Sequence, residues 1–229
     1  MAWILSLETA TTACSVALHH SGELKALREI NNGYSHAENL TLLVEDCLKT
    51  AHITARDLNA VAVSKGPGSY TGLRIGVSTA KGLAFSLDLP LIAISTLQSM
   101  ALQISTQGHE NIDRWVPMID ARRMEVYTAI FDAENRMVSE TEAQILDETS
   151  FASLLGDFRV AFFGDGAAKF QPVVGDQEKA VFLPDIFPSA REAGQLAFER
   201  YQAGEFEDLA YFEPFYLKDF IATKPKKLL

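Results

Sequence analysis

The sequence predicts an α/β protein in which one order of strands and helices occurs twice. Three strand-like segments are followed by a helix, a strand, a helix, a strand and a helix, and after residue 107 the same order begins again in weaker form. A glycine-rich segment, residues 66–76, joins a strand to a helix in the first copy. We therefore expect two subdomains, residues 1–107 and residues 108–229, each with a mixed sheet flanked by helices.

The composition is that of an ordinary soluble protein with an acidic balance. The 229 residues are 48% hydrophobic and 22% charged, and the formal net charge is −10. A chain that binds nucleic acid or an anionic membrane by itself needs clustered lysine and arginine, so this charge argues against both activities. No apolar run is long enough to span a bilayer, and the first residues do not have the pattern of a signal peptide. We therefore expect a cytoplasmic protein.

Alternating and helical hydrophobic patterns assign the elements of the first half. Strands are predicted at residues 3–7, 15–20, 23–30, 60–63 and 89–94. A helix with Ser35 as its N-cap carries one apolar stripe, formed by Leu40, Leu43, Val44, Cys47, Leu48 and Ala51. A second helix follows the glycine-rich segment and runs to Leu87, and a third, capped by Ser95 or Thr96, ends near residue 105.

The second of these helices has few charged residues. Apolar side chains recur at helical spacing, namely Leu73, Val77, Ala80, Leu83, Ala84 and Leu87. Gly76, Ala80 and Ala84 add a row of small residues over which another helix could approach closely. Either a neighbouring helix of the same chain or a partner protein would cover such a surface, and the spacing alone leaves both possibilities open.

The second half repeats the order with weaker signals. A polar segment at residues 108–114 is the expected boundary between the halves. Strands are predicted at residues 115–119, 124–131, 136–145, 160–163 and 181–183, and helices at residues 148–155 and 190–202. The turn Gly164-Asp165-Gly166 follows the fourth of these strands.

The turn between the first two strands is a candidate phosphate site. Glu8, Thr9, Thr11 and Thr12 lie between apolar strands, where hydroxyl groups could face a phosphate and the Glu8 carboxylate could hold Mg²⁺ through water. Threonine in a turn also bonds to its own backbone, so a purely structural turn is the alternative. The glycine-rich corner could likewise hold an anion at the start of its helix, or another backbone segment, or nothing. It is not a Walker loop, since no Gly-Lys-Ser/Thr follows.

Cysteines and histidines form no metal-binding pattern in this sequence. Cys14 and Cys47 lack metal-ligand spacing and are typical of buried thiols in a reducing compartment. His36 and His52 are sixteen residues apart, and His19 and His20 end a strand, where we expect them to be solvated. We predict neither a metal site nor a catalytic centre.

Three segments, read together, resemble the TsaB (YeaZ) family. They are WILSLETATTACSVAL at residues 3–18, SHAENLTLLVEDCL at residues 35–48 and GPGSYTGLRIGVSTAKGLAF at residues 66–85. The resemblance continues through MIDARRMEVYTAIFD at residues 118–132 and FFGDG at residues 162–166, and it is weak after that. It implies the ASKHA fold of actin, sugar kinases and Hsp70 ATPases, with two subdomains of the RNase H type.

The resemblance implies a non-catalytic subunit of the bacterial machinery that makes threonylcarbamoyladenosine on tRNAs reading codons that begin with A. There the related protein TsaD carries the catalytic site, TsaB binds and activates it, the ATPase TsaE joins the pair, and tRNA is bound only through the complex. TsaD holds a metal with two histidines four residues apart, and the matching positions here are Thr96 and Met100. A hydroxyl and a thioether cannot replace two imidazoles. The resemblance therefore implies no metal, no catalysis and no cofactor beyond weak ATP or ADP contact at the complex interface.

The resemblance also implies an interface with TsaD. In the family the first two helices pack on the corresponding helices of TsaD, which points here to Leu40, Leu43, Val44, Cys47, Leu73, Val77, Ala80 and Ala84. One alternative is an ASKHA-type ATPase or small-molecule kinase acting alone, with Glu8, the Thr9–Thr12 turn and the Gly164–Gly166 turn on either side of a cleft. Another is a homodimer formed through the uncovered helices. The basic tail, residues 215–229, is expected to be a solvated end, and the alternative is that its basic residues, Lys218 among them, contact tRNA or the ATPase partner.

Overall fold

The structure, a computed structural model, describes residues 1–31, 36–109 and 111–218. The first half contains five strands: β1 Trp3–Glu8, β2 Cys14–His20, β3 Glu23–Ile30, β4 Ala60–Gly66 and β5 Leu91–Ser95. Its helices are α1 His36–Thr50, α2 Tyr70–Leu87 and α3 Thr96–Ser105, with a 3-10 turn at Ala55–Asp57.

The second half has the same order of elements. Its strands are β6 Arg114–Asp120, β7 Glu125–Thr128, β8 Glu142–Ile145, β9 Val160–Phe163 and β10 Ala180–Leu183. Its helices are α4 Ala152–Asp157, α5 Ala167–Val174 and α6 Ala190–Ala203.

The two sheets have one topology, which confirms the predicted repeat. The first sheet runs β3-β2-β1-β4-β5 and the second runs β8-β7-β6-β9-β10. In both sheets the first three strands run antiparallel to one another, and the last two join the third in parallel. The α/β class with two mixed sheets flanked by helices is therefore confirmed.

Burial explains the strand patterns. The strands β4 and β5 are nearly continuous runs of Ala, Val, Leu and Ile because helices cover both faces of the sheet. The edge strand β3 is mostly exposed or half-buried and carries charged residues, which disfavour pairing with another chain.

Two helices pack on the sheet of the opposite half. The helix α3 ends the first half, yet its Leu97 and Met100 join the core cluster of Trp115 in β6. The helix α6 ends the second half, yet its Leu196 and Ala197 pack on β1, β4 and β5. The predicted division into residues 1–107 and 108–229 therefore does not separate the packing units. Periodicity identifies an apolar face, but it does not say which sheet the face will meet.

Three predicted features differ from the structure or lie outside it. The strand expected at residues 136–145 is confined to β8 and an isolated bridge from Met137 to Phe131, because Ser139 Oγ, and not a backbone carbonyl, accepts the Ile130 N–H at 2.8 Å. The sequence patterns miss α5, a short helix that contains Pro172. The predicted N-cap of α1, Ser35, lies outside the described residues.

After α6 the chain crosses from the first half to the second. The Glu207 N–H donates to the Leu91 carbonyl at 2.9 Å, and the Phe215 N–H donates to the Lys65 carbonyl at 2.7 Å. Lys218 then reaches the Glu125 carboxylate in β7. We call residues 205–218 the C-terminal strap. Within the described parts of the chain, no helix combines the length and the apolar character needed to cross a membrane.

Candidate functional site

The glycine-rich corner between β4 and α2 packs against the β1–β2 turn. Gly68, Gly72 and Gly76 face this turn at intervals of four residues. A Cβ atom added to them would lie 2.3 Å from the Ala10 carbonyl oxygen, 2.1 Å from the Thr9 carbonyl oxygen and 2.2 Å from Thr9 Oγ1, respectively. Only glycine allows this approach. Of the alternatives left open for this corner, the structure shows the close approach of another backbone segment, and that segment is the chain's own turn.

Internal hydrogen bonds occupy two of the N–H donors that an anion could use at the start of α2. The Ser69 N–H donates to the Ala10 carbonyl at 2.6 Å. The Gly72 N–H donates to Ser69 Oγ at 3.3 Å, and the Thr9 hydroxyl donates to the Gly72 carbonyl at 2.9 Å. Free N–H groups make a helix start attractive to anions, and here these two are engaged within the chain.

Glu8 is a fully buried carboxyl group at the end of β1. Its Oε1 accepts the Ala10 N–H at 2.6 Å, and its Oε2 accepts the Ser64 hydroxyl. Burial raises the pKa of Glu8 to about 7, although the bonds from Ser64 and the backbone act in the opposite direction. A carboxyl group enclosed in this way is not placed to hold a hydrated Mg²⁺ ion.

The structure therefore corrects the predicted phosphate site. Glu8, Thr9 and Thr11 are buried, and Thr12 is half-buried. The turn bonds to itself and to the α2 corner, which is the structural alternative that the sequence left open.

The eight predicted interface residues also lie elsewhere than expected. Leu43 is half-buried, and the other seven are in the core of this chain: Leu40, Val44, Cys47, Leu73, Val77, Ala80 and Ala84. Because α1 packs on β2 and β3, and α2 packs on β4, the chain's own sheet covers these side chains. This is a correction: the apolar stripe marks the inner face of the two helices and is not open to a partner.

The open face of α2 lies on its opposite side. Ser78, Gly82 and Ser86 are exposed at intervals of four residues, and a Cβ atom on Gly82 would meet no atom within 4 Å. Phe85 on the same helix is 80% exposed, and Leu42 on the contacting helix α1 is 60% exposed. We call the four α2 residues Ser78, Gly82, Phe85 and Ser86 the outer α2 face. The spacing of Ser78, Gly82 and Ser86 is visible in the sequence, but the interface was predicted on the apolar row of α2 instead.

The corresponding corner of the second half is polar. The Asp120 N–H donates to Asp165 Oδ1 at 2.9 Å, and Lys169 Nζ lies 2.6 Å from Asp120 Oδ1. Gly164 makes room for β6, since a Cβ atom there would lie 2.3 Å from the Met118 carbonyl oxygen. This corner therefore combines a close backbone approach with partly exposed charges.

Thr96 and Met100, which match the two metal-binding histidines of TsaD, are both buried. Thr96 is 0% exposed and Met100 is 1% exposed. Within the residues that the structure describes, no three His, Cys, Asp or Glu side chains form a group that could hold a metal ion. Cys14 and Cys47 are buried free thiols, as predicted, and burial raises the pKa of each to about 11.

The prediction for His19 is wrong. Its side chain is 2% exposed, because α6 packs over it. A Cβ atom added to Gly194 in α6 would lie 2.2 Å from His19 Nδ1, so the absence of a side chain at Gly194 allows this contact. Burial lowers the pKa of His19 to about 4, and the charge of Arg191 acts in the same direction. The ring of its neighbour His20 stacks on Trp3 at 4.4 Å.

The chain is similar to known proteins over nearly its whole length. The model of a family described as TsaD, tRNA N6-adenosine threonylcarbamoyltransferase, matches residues 32–226. The tRNA threonylcarbamoyladenosine biosynthesis protein TsaB of Escherichia coli is 34% identical over 96% of both chains. The chain belongs to the TsaB family. A solved structure of YeaZ from Pseudomonas aeruginosa has a TM-score of 0.80 at 28% identity and covers 95% of this chain and 100% of its own.

More distant structures extend the fold beyond the TsaB family. The activator of 2-hydroxyisocaproyl-CoA dehydratase from Clostridium difficile, solved with bound ADPNP, has a TM-score of 0.53 at 11% identity and covers 90% of this chain and 98% of its own. An inorganic polyphosphate/ATP-glucomannokinase from Arthrobacter has a TM-score of 0.51 at 12% identity and covers 88% and 100%. At such identities the likeness shows the fold alone. The predicted ASKHA fold is confirmed.

Proposed function

We propose that this chain is a non-catalytic subunit required for threonylcarbamoyl transfer to the adenosine next to the anticodon in tRNAs that read codons beginning with A. The support is its membership of the TsaB family, whose Escherichia coli relative is named for this biosynthesis. The proposal includes TsaD as the catalytic partner that the chain binds and activates, and TsaE as an ATPase that joins them. It places the chain in the cytoplasm and its contact with tRNA only within the complex.

The interior of the first half supports a subunit without chemistry of its own. Glu8 and Thr9 are enclosed in hydrogen bonds, and Thr96 and Met100 cannot replace two imidazole ligands. We therefore propose that the chain needs no cofactor of its own. Any contact with ATP or ADP would occur where the chain meets its partner.

The observation that carries the proposed interface is the outer α2 face. Its small residues allow the axis of a second helix to lie about 8–10 Å away or closer. Phe85 and Leu42 are exposed apolar side chains of the kind that become anchors in protein interfaces. We propose that TsaD packs a helix against this face, while the residues first assigned to the interface hold α1 and α2 on the sheet.

Gly82→Arg tests this interface without disturbing the core. The new side chain points into open space, and arginine favours a helix over glycine by up to about 1 kcal/mol, so the free chain should fold normally. Binding to TsaD should weaken at least about tenfold, because the new side chain keeps a second helix away or buries an unpaired charge. Isothermal titration with purified TsaD measures this change.

The matched control is Gly156→Arg in α4, where an added Cβ atom also meets nothing within 4 Å. It should bind TsaD like the unmodified chain. Equal affinity for TsaD in the two variants would exclude the outer α2 face as the interface. Ala80→Arg is not a clean test, because Ala80 is fully buried and its replacement would disturb the core.

The function itself is tested in cells. After depletion of this chain, threonylcarbamoyladenosine should disappear from bulk tRNA, as measured by mass spectrometry of nucleosides. The unmodified chain and Gly156→Arg should restore it, and Gly82→Arg should not. If the modification persists without the chain, the proposed role is wrong, and ATP turnover by the purified chain becomes the measurement that tests the kinase or ATPase alternative.

The same surface accounts for the homodimer considered from the sequence. When TsaD is absent, we propose that two copies pair through the outer α2 face. Light scattering should show a dimer for the chain alone, loss of that dimer when TsaD is added, and a monomer for Gly82→Arg. A dimer that persists in the variant would place the homodimer contact on another surface.

A further inference from the structure

A cavity of about 430 Å³ lies between the two halves of the chain. Residues from six parts of the fold line it: Lys65 at the end of β4, Ser95 at the end of β5, Gln98 in α3, Phe131 and Met137 before β8, Arg200 in α6 and Phe215 in the C-terminal strap. The outer α2 face and the β1–β2 turn contribute no residue to this lining. Open α/β sheets bind ligands at the carboxyl ends of their strands, and this volume suits a small molecule.

Two cationic side chains line the cavity. The Arg200 guanidinium donates to the Ala93 carbonyl at 2.5 Å and lies 3.5 Å from Gln98 Oε1, which fixes its position and leaves further N–H groups for a ligand. The Lys65 backbone is fixed by the bond from the Phe215 N–H. Over the described parts of the chain, neither cation forms an ion pair with a carboxylate. In a chain with a net charge of −10, this local excess of positive charge favours an anion.

The rest of the lining limits the shape and the charge of that anion. Met137 and Phe215 are 54% and 42% exposed, so they offer an apolar wall that continues to the surface, and Phe131 is fully buried behind this wall. Glu140 also lines the cavity, but it is exposed to solvent. Its negative charge disfavours a dianion more strongly than an ion with one charge.

We propose that this cavity binds a small organic carboxylate with an apolar or aromatic body. Arg200 suits a carboxylate because the guanidinium presents parallel N–H donors to the two oxygens, and Lys65 adds a second positive charge. The apolar body would lie against Met137 and Phe215. This site does not depend on the proposed role in tRNA modification, and its test uses the purified chain alone.

The first test compares two probes of nearly the same shape, one with a carboxylate and one with a neutral carboxamide. 2-Naphthoate should bind the purified full chain, and the amide signals of Ser95, Gln98 and Thr141 should shift in ¹H–¹⁵N spectra. Its neutral analogue 2-naphthamide should bind at least about tenfold more weakly. Equal affinity of the two probes, or shifts confined to another surface, would overturn the proposal. Tighter binding of 2-naphthyl phosphate than of 2-naphthoate would overturn the preference for a carboxylate.

Variants assign the binding to named side chains. Lys65→Gln should weaken 2-naphthoate binding at least about fivefold and leave 2-naphthamide binding unchanged. Lys49→Gln removes the same charge from an exposed position on α1 and should leave both affinities unchanged. Met137→Ser replaces an exposed side chain, so it should not disturb the fold. It should weaken the binding of both 2-naphthoate and 2-naphthamide. If Lys65→Gln and Lys49→Gln have the same affinity for 2-naphthoate, the assignment to this cavity is wrong.

Discussion

The two halves of the chain share one topology but complete the same corner in different ways. In the first half, glycines of the β4–α2 corner contact the backbone of Thr9 and Ala10, and Glu8 is enclosed. In the second half, Asp120 remains partly exposed and pairs with Lys169. One corner is therefore filled by its own backbone, and the other is held by solvent-accessible charges. The comparison shows that side chains at the turns, rather than the topology, decide whether such a corner has room for a ligand.

The largest effect should follow from breaking the backbone approach in the first half. A Cβ atom on Gly72 would lie 2.1 Å from the Thr9 carbonyl oxygen, so Gly72→Ala must push two backbone segments apart. We expect a loss of about 3 kcal/mol in the free energy of unfolding, measured by urea denaturation.

The control for this change is Gly156→Ala, which adds the same methyl group where no atom lies within 4 Å. It should leave stability unchanged or raise it by up to about 1 kcal/mol, because alanine favours the helix. If Gly72→Ala behaves like Gly156→Ala, the first corner is not as closely packed as the distances indicate.

This contrast also shows what the sequence could predict. Strand alternation and helical spacing gave the repeated order of elements, because both are local properties of the chain. The glycine spacing at Gly68, Gly72 and Gly76 allowed a close approach as one of several alternatives. It could not identify Thr9 and Ala10 as the approaching segment, because they lie about sixty residues earlier.

The predictions of interface residues and of solvent exposure were wrong where these properties depend on tertiary packing. An apolar stripe such as that of Val77 and Ala80 looks the same whether a partner or the chain's own sheet covers it. His19 ends a strand, which suggests exposure, but α6 arrives from the other half and buries it. No local pattern could show that α3 and α6 each pack on the opposite sheet.

The second prediction concerns the pH dependence of the two corners. The folded chain holds the Glu8 proton up to about pH 7, whereas an unfolded chain releases it near 4.5. The folded state therefore binds more protons in this range, and stability should fall as pH rises through it, by up to about 3 kcal/mol. Glu8→Gln has no proton to lose at this position. The free energy of unfolding of the variant, minus that of the unmodified chain, should therefore rise between pH 4.5 and pH 8.

Taking the difference between two proteins at each pH isolates Glu8. Burial also raises the pKa of Glu192 to about 7 and lowers that of His19 to about 4, and these contributions are common to both proteins. Asp120→Asn, at the partly exposed carboxylate of the second half, is the control and should change stability little at any of these pH values. If the free energy of unfolding changes with pH in the same way for Glu8→Gln and the unmodified chain, the claim that burial raises the pKa of Glu8 is wrong.

The smallest effect should come from the ion pair of the second corner. The Lys169 side chain is 18% exposed and that of Asp120 is 42% exposed, so solvent weakens their attraction. Lys169→Met should lower the free energy of unfolding by about 0.5 kcal/mol at low salt, and the difference should shrink in 0.5 M NaCl, a condition with a Debye length of roughly 4 Å. Lys49→Met removes a more exposed pair with Glu45 and is the control, with a still smaller expected change. Suppose that Lys169→Met lowers the free energy of unfolding by about 2 kcal/mol and that salt does not change this loss. The second corner would then be stabilised as strongly as the first, and the two halves would differ only in the type of interaction, backbone packing in one and an ion pair in the other.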